Sequence, residues 1–397
     1  MALLQLAAKG EQDKLLTSNP QTSLFKSTYK RHTPFQTEWV QETINGTATF
    51  GQRCTIPIPK TSDLVRNIVL EATMKRTGDT FYCMEEFVDG IELLIGGVKV
   101  ASYDRTWSRV YDELYRSLDE QMAYREMTDF SHEPIGNVKR LRLPLIFWFC
   151  RTTSQALPLI SVPYAQVELV LHLNKQVKGI DMTVDPSMSI HLERVFLGPD
   201  ERRIFARSTL RYLVEQVQMA HSATLSIENK QKVLRFPLDF NHPTKSLVFV
   251  LTNPQMHGVF SASLLPLENR EAAGPVKGAK LIINGKDVQE EKSGSWLRNV
   301  DNFLLMKSSP SVGIYTMHFC TQPQHPTQPS GSLNLSEVES ELFIRLKSMD
   351  ATLMDNIVNI DDETLKDATE LTHLYVYGQS WNQLVFSNGM AGITWSN

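Results

Sequence analysis

The sequence predicts an all-β protein: two β-sandwiches in tandem, with a few short helices in the loops. Three observations carry this reading. Short segments along most of the chain alternate apolar and polar residues with a period of two, the pattern of strands with one buried face. Turn signals such as Gly96-Gly97, Asn253-Pro254, Asn284-Gly285 and Ser330-Gly331 separate these segments. The 397 residues are enough for two ordinary cores. No short repeat period is visible, which argues against a propeller or solenoid.

The elements follow in order. Residues 1–35 are polar and rich in small residues, an arm with no core pattern of its own. Thr47–Ile58 alternates through Phe50, Cys54 and Ile56, and Leu64–Met74 through Val65, Ile68, Leu70 and Ala72. In "IELLIGGVKVASY" the two glycines supply the positive φ angles of a tight hairpin. One segment departs from the β pattern. In "DRTWSRVYDELYRSL", Trp107, Val110, Tyr111, Leu114 and Leu118 fall at helical spacing behind Asp104, a suitable N-cap.

The most apolar stretch is "LPLIFWFCRTTSQALPLISVPYAQVELVLHL", Leu143–Leu173. Its first run stops at Arg151, far short of the roughly 20 residues that a membrane-spanning helix needs. Ile146–Phe149 is apolar on both sides and reads as a strand covered on both faces, whereas Val167, Leu169, Leu171 and Leu173 alternate with polar residues. "SIHLERVFLG" alternates likewise. "GPDERRIFARS" then marks a boundary with one short helix. Beyond it the β pattern resumes in "YLVEQVQMAHS", "ATLSI", "KVLRFPLDF", "KSLVFVLTN", "AKLIING", "SVGIYTMHFC", "VESELFIRLK" and "HLYVYGQSWNQLVFS".

Composition narrows the function. Hydrophobic residues make up 42% and charged residues 21%, a globular balance, and the net charge is −4. No long Lys/Arg run exists, so direct nucleic-acid binding is not expected. The clusters Lys26…Lys30-Arg31-His32 and Arg202-Arg203…Arg207…Arg211 read as solvated faces or intersubunit contacts. Cys54, Cys83, Cys150 and Cys320 form no CxxC pair and read as reduced, buried thiols made in a reducing compartment. The N-terminus lacks the basic segment of a signal peptide, so the sequons at Asn45 and Asn334 are expected to stay unmodified.

No chemistry stands out. There is no GxGxxG, GxSxG or HExxH, and Gly285-Lys286 lacks both the Ser/Thr and the spacing of a phosphate-binding loop. His318, Cys320 and His325 include two zinc-ligand types on one strand face, but no fourth ligand is near and a Pro-rich loop follows. Glu337, Glu339 and Glu341 alternate along the solvent face of a strand, and Asp361-Asp362-Glu363 resembles a helix start. Neither carboxylate group has a reason for a raised pKa of the kind glycoside hydrolysis needs. The expectation is no catalytic, cofactor-binding or metal-binding residue, and no cofactor.

Several stretches together resemble the major capsid proteins of nucleocytoplasmic large double-stranded DNA viruses. They are the arm "LLQLAAKGEQDKLLTSNPQTSLFKSTYKRHTPF", "LPLIFWFCRTTSQALPLISVPYAQVEL", "GPDERRIFARSTLRYLVEQVQ", "FPLDFNHPTKSLVFVL", "GIYTMHFCTQPQHPTQPSGSLNLSEVES" and the tail "NGMAGITWSN". They occur in the family's order from Leu3 to Asn397. The chain is on the short side for the family.

The resemblance implies two eight-stranded jelly rolls side by side: an arm at 1–35, a first jelly roll at 36–198, a linker with a short helix at 199–211 and a second jelly roll at 212–397. It implies a homotrimer of pseudo-hexagonal outline that tiles an icosahedral shell in the virion, assembled in the host cytoplasm. Expected partners are neighbouring trimers, minor capsid and penton proteins, and the inner viral membrane by way of the arm. The short stretch from Asn253 to Lys280 implies a low outer tower. A minor capsid or scaffold protein with the same double fold is the nearest alternative; a double jelly-roll glycan-cleaving enzyme or a lectin is the next.

Overall fold

The structure, a computed structural model, describes residues 2–44, 50–77, 83–129, 136–175, 180–181, 188–226, 233–252, 276–310, 313–346 and 371–395. The low-tower segment around residues 253–275 and the Asp361–Glu363 group lie outside them. The chain divides into a unit Met1–Pro34 and a unit Phe35–Asn397. The first holds two short helices, α1 (Ala2–Ala7) and α2 (Glu11–Thr17), with Leu3, Leu4, Leu15, Leu16 and Phe25 exposed.

The second unit holds two sandwiches of the same design. The first has β1 (Phe35–Thr43), β2 (Arg53–Pro57), β3 (Leu64–Arg76), β4 (Val88–Ile95), β5 (Val98–Asp104), β6 (Val138–Pro144), β7 (Val167–Leu173) and β8 (Met188–Leu197). They form two antiparallel sheets in the orders β1-β8-β3-β6 and β2-β7-β4-β5. The second sandwich has β9 (Leu210–Ser226), β10 (Val233–Pro237), β11 (Pro243–Thr252), β12 (Val276–Ile283), β13 (Lys286–Asp287), β14 (Ile314–His318), β15 (Ser340–Leu346) and β16 (Leu371–Ser387). Its sheets run β9-β16-β11-β14 and β10-β15-β12-β13. Adding eight to each strand number of the first sandwich reproduces the second. Two-residue strands at Leu157–Pro158, Ile180–Asp181, Lys292–Ser293 and Leu333–Asn334 pair at the margins, and β17 (Met390–Ile393) pairs with β16.

Turn chemistry sets the hairpins. Gly96-Gly97 (φ 61° and 80°) and Asn284-Gly285 (φ 50° and 74°) make the expected two-residue turns, with both central residues left-handed. Gly285 therefore serves a turn and not a phosphate loop. Asn388-Gly389 (φ 53° and 77°) makes a third such turn, between β16 and β17.

Local capping sets the helices. Asp104 starts α3 (Arg105–Tyr115) by accepting the Trp107 N–H at 2.9 Å. The expected continuation to Leu118 does not occur. Ser117 and Glu120 form a capping box that opens a separate helix, α4 (Leu118–Thr128), and Leu118 is exposed.

Ile146–Phe149 is not a strand. Past Pro144 the chain leaves the sheet and turns into α5 (Trp148–Arg151), where the Cys150 N–H bonds to the Phe147 carbonyl at 3.0 Å. Phe147, Trp148 and Phe149 enter the first core as an aromatic cluster; the Phe147 and Phe149 rings stack at 5.6 Å. Ile146 points the other way, into the seam between the sandwiches. The segment is apolar all round because it plugs two clusters at once.

The first core joins the two sheets of its sandwich through residues such as Leu70, Leu93, Leu143, Leu171 and Ile190. It also takes in Val214, Leu384 and Phe386 from the second sandwich. Among the described residues the last α-helix is α6 (Pro199–Arg207), which begins with Pro199 in its first turn, the short helix expected in "GPDERRIFARS". It leads into β9, which merges the two expected strands "YLVEQVQMAHS" and "ATLSI" into 17 residues with a bulge near Ala220. β9 and β16 are long enough to serve the second core at one end and cover the first at the other. This shared ladder ties the sandwiches together.

Candidate assembly surface

The seam between the sandwiches is built by α3. One face of this helix presents Trp107, Val110 and Leu114, all buried against Val248, Val250, Ile314 and Tyr377 on the outer face of the β9-β16-β11-β14 sheet. The Trp107 and Tyr377 rings lie 5.3 Å apart. Burying each large apolar side chain contributes about 1.5–3 kcal/mol. Polar groups fix the register: Tyr377 donates to Asp104 at 2.7 Å, and Gln216 Nε2 donates to the Val100 carbonyl at 2.6 Å.

Deeper in the seam lies a group of charges. Glu215 on β9 receives Arg151 from α5 and Lys245 from β11, and Gln379 Nε2 donates to it at 2.9 Å. Lys245 also donates to the Pro323 carbonyl at 2.8 Å, and the Arg151 guanidinium lies 5.1 Å from the Tyr115 ring centre. Lys245 is 1% exposed. Burial pushes its pKa down to about 8, against the opposing pull of Glu215. Two cations thus share one carboxylate in a buried joint, where each ion's loss of water is costly and only close pairing offsets it.

A second charged nest sits under α3 within the first sandwich. Glu85 and Glu86, on a short 3-10 turn, lie buried, as do Asp112 and Glu113 of α3. Arg116 bonds Asp112 at 2.8 Å, Arg109 reaches Glu113 at 3.2 Å, and Tyr124 donates to Glu85. Burial raises the pKa of Glu85 and Asp112, and it pushes Glu86 up to about 8.

The outer face of the β1-β8-β3-β6 sheet is different. Its strands place Trp39, Glu193, Asn67, Val69, His191 and Pro144 on the side away from the core. Glu193 is held by Arg66 and Asn67, each at 2.6 Å. Trp39 is 55% exposed and, with Val69, Pro144, Ile146 and Met127, lines an open cleft of about 840 Å³. The two sandwiches therefore present corresponding sheet faces, one covered by α3 and one with a cleft over it.

The metal candidates do not converge. His318 Nδ1 is 2.8 Å from Ser246 Oγ; burial, with Lys245 adding to it, pushes its pKa down to about 4. Cys320 is buried, its thiol pKa raised by burial, while exposed His325 accepts the Gln328 N–H at 3.1 Å across a turn. Among the described residues no group of three His, Cys, Asp or Glu is placed to hold a metal ion. Glu337 lies in a 3-10 turn before β15 begins at Ser340, so the three glutamates do not share a strand. All four cysteines are free thiols. Among the described residues no helix is long and apolar enough to cross a membrane.

Comparison with known proteins agrees with this architecture. The family described as "Major capsid protein N-terminus" matches residues 23–198, and that described as "Large eukaryotic DNA virus major capsid protein" matches residues 201–392. The major capsid protein of Paramecium bursaria Chlorella virus 1 is 33% identical over 438 residues, spanning all of this chain and 99% of that one. The crystal structure of PBCV-1 VP54, fitted into a reconstruction of the virophage Sputnik, superposes with a TM-score of 0.84 at 30% identity, over 94% of this chain and 100% of that one. The quasi-atomic PBCV-1 virus capsid gives 0.82, with the same identity and coverage. With both halves matched in order and a capsid relative aligned end to end, this chain belongs to the major capsid proteins of large eukaryotic DNA viruses, double jelly-roll proteins of the capsid shell.

Proposed function

We propose that three copies associate into a pseudo-hexagonal capsomer that tiles the shell, and that the role is structural, without catalysis. The observation that carries this is the repeat itself. Two sandwiches of one design, tied by the shared β9-β16 ladder, make each copy a two-lobed block. Three such blocks in a closed ring present six like lobes. The full-length resemblance to structural capsid proteins supports a role without catalysis. On this reading the divisions are an arm at 1–35, jelly rolls at 36–198 and 212–397, and a linker at 199–211. The arm, with Leu3, Leu4 and Leu6 exposed, is the part that meets minor capsid proteins and the inner membrane, while penton proteins join at the vertices.

Light scattering across a concentration series tests the capsomer. A dilution-resistant species near three times 45.1 kDa is expected. A monomer at every concentration would sink it.

A further inference from the structure

The internal repeat also indicates where copies meet. Each sandwich carries an insertion between its fifth and sixth strands. In the first it is α3 and α4; in the second it is the π-helical stretch running from Trp296 to Met306, between β13 and β14. Each insertion packs on the sixth strand of its own sandwich: α4 touches β6, and the Trp296–Val300 turn touches β14. The first insertion does more. Through Trp107, Val110 and Leu114, α3 also covers the outer sheet face of the second sandwich.

Within one copy the corresponding contact is not made: the end of the second insertion, Met306–Ser308, stands at the rim of the cleft beside α3, and Phe303 and Leu304 are left exposed. Phe303 and Leu304 of the second insertion are 73% and 66% exposed. The first sandwich's matching sheet face, with Trp39, Val69 and Pro144, floors the 840 Å³ cleft. Two adjacent apolar side chains exposed on a short helical stretch, and an exposed Trp on a sheet face, are the unpaired halves of one kind of contact.

We propose that Phe303 and Leu304 of one copy enter the cleft over the Trp39–Val69–Pro144 face of the next copy. This rests on the trimer reading above and assigns its contact surface. The occupant is a second copy because the chain already contains the equivalent contact, α3 on the second sandwich, made by the equivalent elements. The two halves of the surface differ, so the contact is head-to-tail. Covalent and non-covalent seams then alternate around the ring with the same elements in the same roles. A turn of roughly 60° at every seam closes it after six sandwiches, which is three copies.

The test uses the full chain. A Phe303→Asp/Leu304→Asp variant and a separate Trp39→Asp variant are compared with the unaltered chain by light scattering over a dilution series. All three side chains are exposed, so each variant should melt near the unaltered temperature. The expected result is a shift of the trimer–monomer midpoint to roughly 100-fold higher concentration in both variants. A second measurement treats a Leu304→Cys/Trp39→Cys variant with a short bismaleimide, the unaltered chain with its own four thiols serving as control. Dimer and trimer bands on a denaturing gel are expected.

Variants that stay trimeric to the same dilution, or Cys pairs that never link different chains, would overturn this contact and leave the trimer standing. An unaltered chain that is monomeric throughout would overturn both.

Discussion

Tyr377 of the second sandwich donates to one oxygen of Asp104 at 2.7 Å, and the other oxygen accepts the Trp107 N–H at 2.9 Å. One carboxylate thus starts α3 and fastens it to the sheet it covers. Burial raises the Asp104 pKa, and these two hydrogen bonds pull it back. Asp104→Ala should cost about 2–4 kcal/mol, the loss of a cap together with the charged acceptor of a buried hydroxyl. Tyr377→Phe should cost about 1–2 kcal/mol. Because the two groups share a bond, the double variant should cost less than the sum by about 1 kcal/mol. Denaturant melts of the four proteins decide it, and strict additivity would mean the bond contributes nothing.

That carboxylate also marks how far the sequence could be read. Asp104 was legible as a cap because a cap is a local matter: one short side chain and an N–H three residues on. The two-residue turns at Gly96-Gly97 and Asn284-Gly285 are local in the same way. Ile146–Phe149 reads as a strand because a short apolar run looks alike in a buried strand and a buried helical turn. The direction its side chains take depends on two cores that a local pattern does not reveal. Phe35–Thr43 gives no strand signal for the opposite reason. It is mostly polar and, among the described residues, pairs with β8 alone, the ordinary composition of an edge. The Arg151–Glu215–Lys245 group had no signal at all, since its members lie 64 and 30 positions apart and meet only when three segments have folded.

The carboxylate of that group is the indispensable member. Glu215→Gln would leave Arg151 and Lys245 in a buried seam with no counter-charge, at a cost of about 3–5 kcal/mol. Lys245→Met leaves Glu215 paired with Arg151 and removes the costliest ion to bury, so its effect should stay within about 1 kcal/mol. The pH dependence has a definite sign. The folded pKa of Lys245 is about 8, below the roughly 10.4 of an unfolded lysine. Between those values the unfolded chain binds more protons, so this lysine's contribution to stability rises with pH. Relative to Lys245→Met, the unaltered chain should gain stability from pH 8 to 10. A constant gap would show that Lys245 titrates normally.

Gly378, within β16, is required by packing and not by its backbone angles. A Cβ there would lie 2.6 Å from Cε1 of Phe240. That ring is 1% exposed in the second core and has nowhere to go. Gly378→Ala should cost about 1–3 kcal/mol through overpacking. Shortening the ring with Phe240→Leu should recover part of that loss, so the double variant should melt above the sum of the two single effects. If Gly378→Ala melts like the unaltered chain, the two strands flanking Phe240 are looser than the structure has them.

Glu86 gives the clearest prediction with pH. It is 6% exposed, and its Oε2 has no hydrogen-bond partner among the described residues. Burial pushes its pKa up to about 8; Arg105 and Arg109 oppose the shift, while Glu85 and Asp129 add to it. The unfolded value is near 4.3. Between the two values the folded protein holds a proton that the unfolded chain has released, so stability from this group falls as pH rises through that window and is fully present only below it. A glutamine keeps the shape of the protonated acid and never ionises. Glu86→Gln should therefore match the unaltered chain near pH 4 and exceed it by on the order of 1–3 kcal/mol at pH 9. Paired thermal melts at the two pH values test this. Parallel curves would mean that Arg105 and Arg109 fully neutralise Glu86, and that the nest under α3 is a settled ion cluster and not a site that takes up a proton on folding.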